Sequence, residues 1–216
     1  SLTRKEPTPI KTIHGERSAY AASLPPTYEP ASGDVVRAIT SLLVAERING
    51  WAEGTFTTRD MMRGVLDEPL ARAHYTERTG NDVTEVGIII RDDWGFSIGY
   101  SPDGLVGDDG LIECKSRRAK YQVGCFLDDQ VPVEHMAQLQ TGLLVTGRAW
   151  IDYCSYSGGM PMWIKRVYPD PDWHQAIVAA VAAFEASAAG MVERYKAAVE
   201  GLPLTERSTY DLDIEV

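Results

Sequence analysis

From Asp34 the apolar residues Val35, Val36, Ile39, Leu42, Leu43 and Ile48 recur at helical spacing, and Asn49-Gly50 ends the run. Thr57 or Thr58 can cap a second helix, with Met61, Met62, Val65, Leu66, Leu70, Ala73 and His74 on or near one face. Gly80, just after Arg78, is its exit signal. Pro69 interrupts that stretch and calls for a kink or a fresh first turn. The pattern then changes. Val83 to Arg91 and Gly95 to Tyr100 read as strands separated by Asp92-Asp93. Leu105-Val106 and Leu111 to Lys115 flank Gly107-Asp108-Asp109-Gly110, a strong hairpin signal. Val133 to Val145 returns to helix, with Met136, Leu139 and Leu143 in the apolar stripe. Trp150 to Tyr156 and Pro161 to Tyr168 read as a further hairpin around Ser157-Gly158-Gly159. A long Ala-rich helix follows, about Pro171 to Glu200, with Ile177, Val181, Phe184, Ala188, Met191 and Tyr195 as its buried stripe. Residues 1 to 33 carry Pro7, Pro9, Pro25, Pro26 and Pro30 with little periodicity and read as an extended arm. Residues 34 to 216 then form one domain, α/β or α+β, in which helices flank a central mixed sheet.

Composition narrows the class. With 216 residues, 44% hydrophobic and 24% charged, the chain can build a sizeable core, which rules out wholesale disorder. No run approaches 18 consecutive apolar residues, so no membrane span is expected. The opening Ser-Leu-Thr-Arg-Lys-Glu-Pro-Thr-Pro has no apolar core of the signal-peptide kind, and a cytoplasmic chain is expected. Cys114, Cys125 and Cys154 are too few and scattered for a disulfide framework or a four-thiolate metal site. His14, His74, His135 and His174 show no zinc spacing, and no phosphate-binding P-loop is present. The net charge of −10 argues against a protein that coats nucleic acid indiscriminately. It leaves room for a DNA enzyme whose acidic residues are metal ligands and whose cations line one inner surface.

The stretch from Ser101 to Lys115 carries the chemistry. On a strand, Glu113 and Lys115 project from one face while Ile112 and Cys114 point into packing. The hairpin returns Asp103 beside Glu113, so two carboxylates and an ammonium converge at one end of a sheet. Such a cluster suits Mg²⁺, which is held by a few carboxylates plus water and substrate phosphate. The backbone carbonyl of Cys114 offers another hard oxygen. Lys115 can orient or deprotonate a water and stabilise charge building on phosphorus. A bare Glu-x-Lys is usually only a surface pair; here Pro-Asp precedes it by one hairpin.

Pro102-Asp103 followed by Glu113-Cys114-Lys115 resembles the PD-(D/E)-x-K nuclease superfamily, whose restriction-endonuclease-like core is a mixed sheet flanked by helices. Ser101-Pro102-Asp103-Gly104-Leu105 with Gly110-Leu111-Ile112-Glu113-Cys114-Lys115 is similar to its lambda exonuclease, or YqaJ-type viral recombinase, branch. Gly64-Val65-Leu66-Asp67-Glu68-Pro69-Leu70-Ala71-Arg72 is similar to the upstream helix with a metal-site glutamate, which points to Glu68. His135-Met136-Ala137-Gln138-Leu139-Gln140 is similar to the downstream helix whose glutamine borders the site, which points to Gln138. The resemblance further implies that Ser101 and an arginine after the catalytic strand, Arg117 ahead of Arg118, bind a terminal 5′ phosphate. The cluster Arg117, Arg118 and Lys120 reads as a clamp on the DNA backbone. The family's N-terminal phosphate-binding segment is matched loosely by Arg17 to Ser23; either Arg17 and Ser23 serve in altered form, or this end of the pocket is built differently. The activity implied is a Mg²⁺-dependent exonuclease, with Mn²⁺ able to substitute, that digests linear duplex DNA from 5′ ends. A single-strand annealing protein as partner and a ring-shaped homotrimer are implied with it. A structure- or sequence-specific endonuclease on the same core, and a DNA-end-binding module that has lost catalysis, are the competing readings.

Overall fold

A computed structural model describes residues 2–5, 27–30, 33–52, 54 and 57–206 of the chain. Helix α1, Asp34–Asn49, closes on left-handed Gly50, whose N–H donates to the Glu46 carbonyl. Helix α2, Arg59–Thr79, begins at Thr58, whose hydroxyl accepts from the Met61 N–H, and closes on left-handed Gly80. It runs through Pro69 as one helix, so no fresh first turn lies there.

The burial of α2 is the reverse of the expected one. Ala71 and Tyr75 are buried, whereas Met61, Met62, Val65, Leu66 and Leu70 are exposed. Polar partners on the sheet explain the rotation: Ser116 Oγ donates to Asp67, Arg72 to the Asp103 carbonyl, and the Tyr75 hydroxyl to Asp152. Helix α1 likewise exposes Val35, Ile39, Leu42 and Leu43 and buries Val44.

The remaining strands are β3 (Val83–Thr84), β4 (Ile89–Arg91), β5 (Ile98–Tyr100), β6 (Gly104–Val106), β7 (Gly110–Ser116), β8 (Trp150–Tyr156) and β9 (Trp163–Val167), following β1 (Leu2–Lys5) and β2 (Thr27–Pro30). Five of them form the central sheet in the order β3-β6-β7-β8-β9. Only β7 and β8 are parallel within it, so the sheet is mixed as expected. Parallel neighbours need a crossover, and α3 (Ala119–Asp128) and α4 (Val133–Thr146) supply it. The sequence pattern did not reveal α3. The expected strand from Val83 to Arg91 is split, because β3 pairs with β6 in the central sheet and β4 pairs with β5 in a separate ribbon.

Alternation along β7 places Leu111 against α4 and the last helix, in a cluster with Leu139, Leu143, Ile151, Tyr153 and Ile177. Ile112 faces the other way and packs with Tyr75, Val106 and Cys154. The last helix, α5 (Pro171–Ala198), starts at Asp170, whose carboxylate accepts from the N–H groups of Asp172 and Trp173. Gln140 fixes that start, donating to the Tyr168 carbonyl and accepting from the Asp170 N–H. Of the expected α5 stripe, Ile177 and Ala188 are buried, with Trp173 and Ala176, while Tyr195 is exposed. By length and composition alone α5 could cross a bilayer, contrary to the expectation from continuous apolar runs, because alanines raise its hydropathy. In the fold it packs on α4, α1 and β2. The N-terminal arm contributes β1 and β2, which pair antiparallel, with β2 lying along α5.

Candidate active site

The β6–β7 hairpin builds the centre. Gly104 is paired with Ile112, which sets Asp103 opposite Glu113, and left-handed Gly107 makes the turn possible. Asp103 Oδ2 accepts from the Cys114 N–H at 2.6 Å. Glu113 Oε1 accepts from Lys115 Nζ at 2.6 Å and from Gln138 Nε2 at 2.7 Å. Its Oε2 accepts from the Tyr100 hydroxyl at 2.7 Å. Glu113 is only 1% exposed, so a charge is held out of water by three donors. Asp103 is pushed up to about 7, first by burial and then by the charge of Glu113, with Glu68 adding to it; the Cys114 N–H and Lys115 oppose the rise. Burial and the adjacent Glu113 also raise the Tyr100 phenol, which therefore stays a donor.

Helix α2 brings Glu68 to the same end of the sheet. Its carboxylate pairs with Arg72, whose guanidinium also donates to the Asp103 carbonyl at 3.3 Å and pairs with Glu85 at 2.8 Å. Among the described residues, no group of three or more His, Cys, Asp and Glu side chains is arranged to hold a metal ion. A hard cation such as Mg²⁺ uses only one or two carboxylates, completing its shell with water and phosphate. The donors here are all oxygens, and Asp103, raised first by burial and then by the charge of Glu113, is a carboxylate that a proton or a cation would relieve. The chemistry of the set fits a hard divalent ion.

The model of the YqaJ-like viral recombinase domain matches residues 27–149, more than half of the chain, and that span contains Glu68, Asp103, Glu113, Lys115 and Gln138. The chain belongs to the YqaJ-like viral recombinase family. The fold agrees. An alkaline exonuclease from Laribacter hongkongensis is 32% identical, covers 80% of this chain and 89% of its own, and superposes with a TM-score of 0.73. The same enzyme in complex with dAMP matches equally. A phage-related exonuclease from Haemophilus somnus 129PT, 11% identical with a TM-score of 0.63 over 77% of this chain and 91% of its own, shares the fold. A comparison with curated proteins finds no match.

Around the carboxylates the cations divide. Arg117 is mostly buried: it contacts His135 Nε2 through Nη1 at 2.8 Å, lies 3.7 Å from Glu134, and covers the Tyr121 ring. Its Nε is buried without a hydrogen-bond partner. Burial first, then the charges of Lys115 and Arg117, pushes His135 down to about 4, so its ring is neutral and can accept from the arginine. Arg118 turns to Asp60 at 2.8 Å, and Lys120 Nζ sits 4.7 Å from the Tyr121 ring centre. Those two do not converge on the carboxylates. Ser101 is exposed at the entrance to the hairpin, and Arg17 lies outside the described residues. The sequence reading missed Tyr100, which donates to Glu113, and Arg72, which pairs with Glu68 and donates to the Asp103 backbone carbonyl, and it took His135 as a helix-face residue. Arg72 had a usable signal, its i+4 spacing from Glu68. Tyr100 had none, since its reach to Glu113 depends on the β4–β5 ribbon.

Proposed function

We propose that this protein is a Mg²⁺-dependent deoxyribonuclease that hydrolyses linear double-stranded DNA from 5′ ends and leaves 3′ single strands. The observation that carries the reading is the convergence of Asp103, Glu113 and Lys115 at one sheet end, where burial first and then the charge of Glu113 push Asp103 up to about 7. Asp103, Glu113, the Cys114 carbonyl and Glu68 are the oxygens that would hold the cation. When bound, the cation supplies Lewis-acid charge to the scissile phosphate. Lys115 orients the attacking water and counters charge on the phosphoryl oxygens, and Gln138 and Lys115 keep Glu113 in place. Arg117, with an unused buried N–H beside the site, and Ser101 are the candidates for holding a terminal phosphate, with Arg118 and Lys120 further along the strand path. The dAMP complex of the Laribacter hongkongensis exonuclease supports release of mononucleotides here.

The same reading includes a ring-shaped homotrimer, cytoplasmic action and cooperation with a single-strand annealing protein. The test incubates linear and closed circular duplex with Mg²⁺, with Mn²⁺ and with EDTA. Loss of linear DNA alone, in either metal and not in EDTA, is expected. Cutting of circles would favour an endonuclease, and end binding without degradation would favour an inactive module.

A further inference from the structure

Glu113 is restrained from two sides by elements distant in sequence. Its Oε1 side carries Lys115 and Gln138, while Oε2 has the Tyr100 hydroxyl at 2.7 Å. Tyr100 ends β5 and is 5% exposed. The hydroxyl end of its ring lies against Gly142 on α4, where a Cβ would come within 2.6 Å of the ring carbon Cζ. Gly142 follows Gln138 by one helical turn, so one face of α4 supplies both a donor to Glu113 and the space for the ring that supplies the other donor. A carboxylate with two chemically equal oxygens can rotate. A donor fixed to one of them sets the carboxylate plane and so the direction in which the other oxygen faces Lys115 and the incoming cation.

We propose that Tyr100 is a positioning residue for the catalytic centre: seated in the slot at Gly142, it holds Glu113 Oε2 and thereby presents Oε1 to the site. This rests on the nuclease reading for its purpose, but its geometry concerns cation binding and can be measured without DNA. Hydrogen-bond partners behind a metal ligand typically change metal affinity or activity by about 10–100-fold. A side chain at residue 142 would displace the ring and loosen the same contact without removing the hydroxyl.

The experiment titrates Mn²⁺ into the full-length chain by calorimetry, for wild type, Tyr100→Phe and Gly142→Ala, with melting of each metal-free protein recorded in parallel. Tyr100→Phe keeps the ring in its slot. It should bind Mn²⁺ about 10–100-fold more weakly, with Gly142→Ala shifted in the same direction. On linear duplex, Tyr100→Phe should need correspondingly more Mg²⁺ for half-maximal rate. Wild-type Mn²⁺ affinity in either variant overturns the proposal, including the case in which melting falls and affinity does not. A wild-type chain that takes up no Mn²⁺ overturns it as well. A wild type inert toward DNA would instead sink the nuclease reading, and the Mn²⁺ isotherms would still decide the role of Tyr100.

Discussion

Asp103 and Lys115 do opposite electrostatic work, and their variants should separate. In the fold Asp103 rises to about 7 from an ordinary 3.8, so the folded state binds this proton more tightly than the unfolded chain does. That contribution to stability is fully present below the unfolded value and is lost as pH rises through about 7. The metal-free protein should therefore melt at progressively lower temperature between roughly pH 4 and 7, and Mg²⁺ should restore what the proton no longer supplies. Hydrolysis should rise with pH over the same interval, because cation and proton compete for Asp103. Asp103→Asn should abolish hydrolysis and flatten the melting curve's dependence on pH; an unchanged slope would show that another group sets it. Lys115→Ala should lower turnover by roughly 10²-fold while Mn²⁺ affinity stays or rises, since a nearby positive charge is gone. A Lys115→Ala protein whose defect lies wholly in metal binding would contradict its role at the phosphate. Asp103, Glu113 and Lys115 were legible from sequence because period-two alternation and a glycine turn fix their geometry locally, whereas Gln138, on a helix, was pointed to only by the family resemblance. Tyr100 and His135 were not, since each acquires its meaning from an element that meets it only in the fold.

The elements were legible where local signals mark them and illegible where tertiary contacts decide. Thr58, Gly50 and Gly80 ended or began helices as their chemistry requires. Helix α3 has Arg118 at its N-cap position with no side-chain cap and only ten residues, so no pattern announced it. The apolar stripe of α2 was misread because hydrogen bonds to Ser116, Asp103 and Asp152 turn its polar face inward. At the β7 strand, the hairpin depends on glycines for space. A Cβ on Gly110 would lie 2.2 Å from the Trp150 ring, and one on Gly104 would lie 2.2 Å from Val83 Cγ1. Trp150 is also held by the Arg166 guanidinium, 3.5 Å above its ring, which itself is fixed by Asp152, so the indole cannot easily yield. Gly110→Ala should therefore destabilise the fold by about 1–3 kcal/mol, read as a lower denaturant midpoint. Gly107→Ala, with open space around it, should show backbone strain without a clash and a smaller effect. Equal midpoints for Gly110→Ala and wild type would mean that the Trp150 packing is loose.

At the scale of the molecule, acidity and DNA chemistry have to coexist. The chain carries −10, yet Lys115 pairs with Glu113 on β7, Arg63 donates to Ser116 at the end of that strand, and Arg117 follows it against His135. Apolar side chains are left uncovered on two helices, with Val65 at 71% and Leu66 at 67% exposed on α2 and Val35 at 70% on α1. Uncovered apolar faces of this kind usually mark contact surfaces. Assembly into a ring would cover such faces and bring the cation-bearing ends together, leaving the acidic remainder to solvent. The two processes should answer salt in opposite senses. Screening weakens repulsion between copies that each carry −10, so added salt should favour assembly. The same salt should weaken DNA binding, because neutralised phosphates no longer release counterions to advantage. Light scattering should give a mass three times the 23.8 kDa of one chain, with the assembled fraction growing as salt rises. Filter binding of a linear duplex, in EDTA to prevent hydrolysis, should fall over the same range. A mass of 23.8 kDa at every concentration and salt would remove the trimer and leave the exposed faces of α1 and α2 to some other contact.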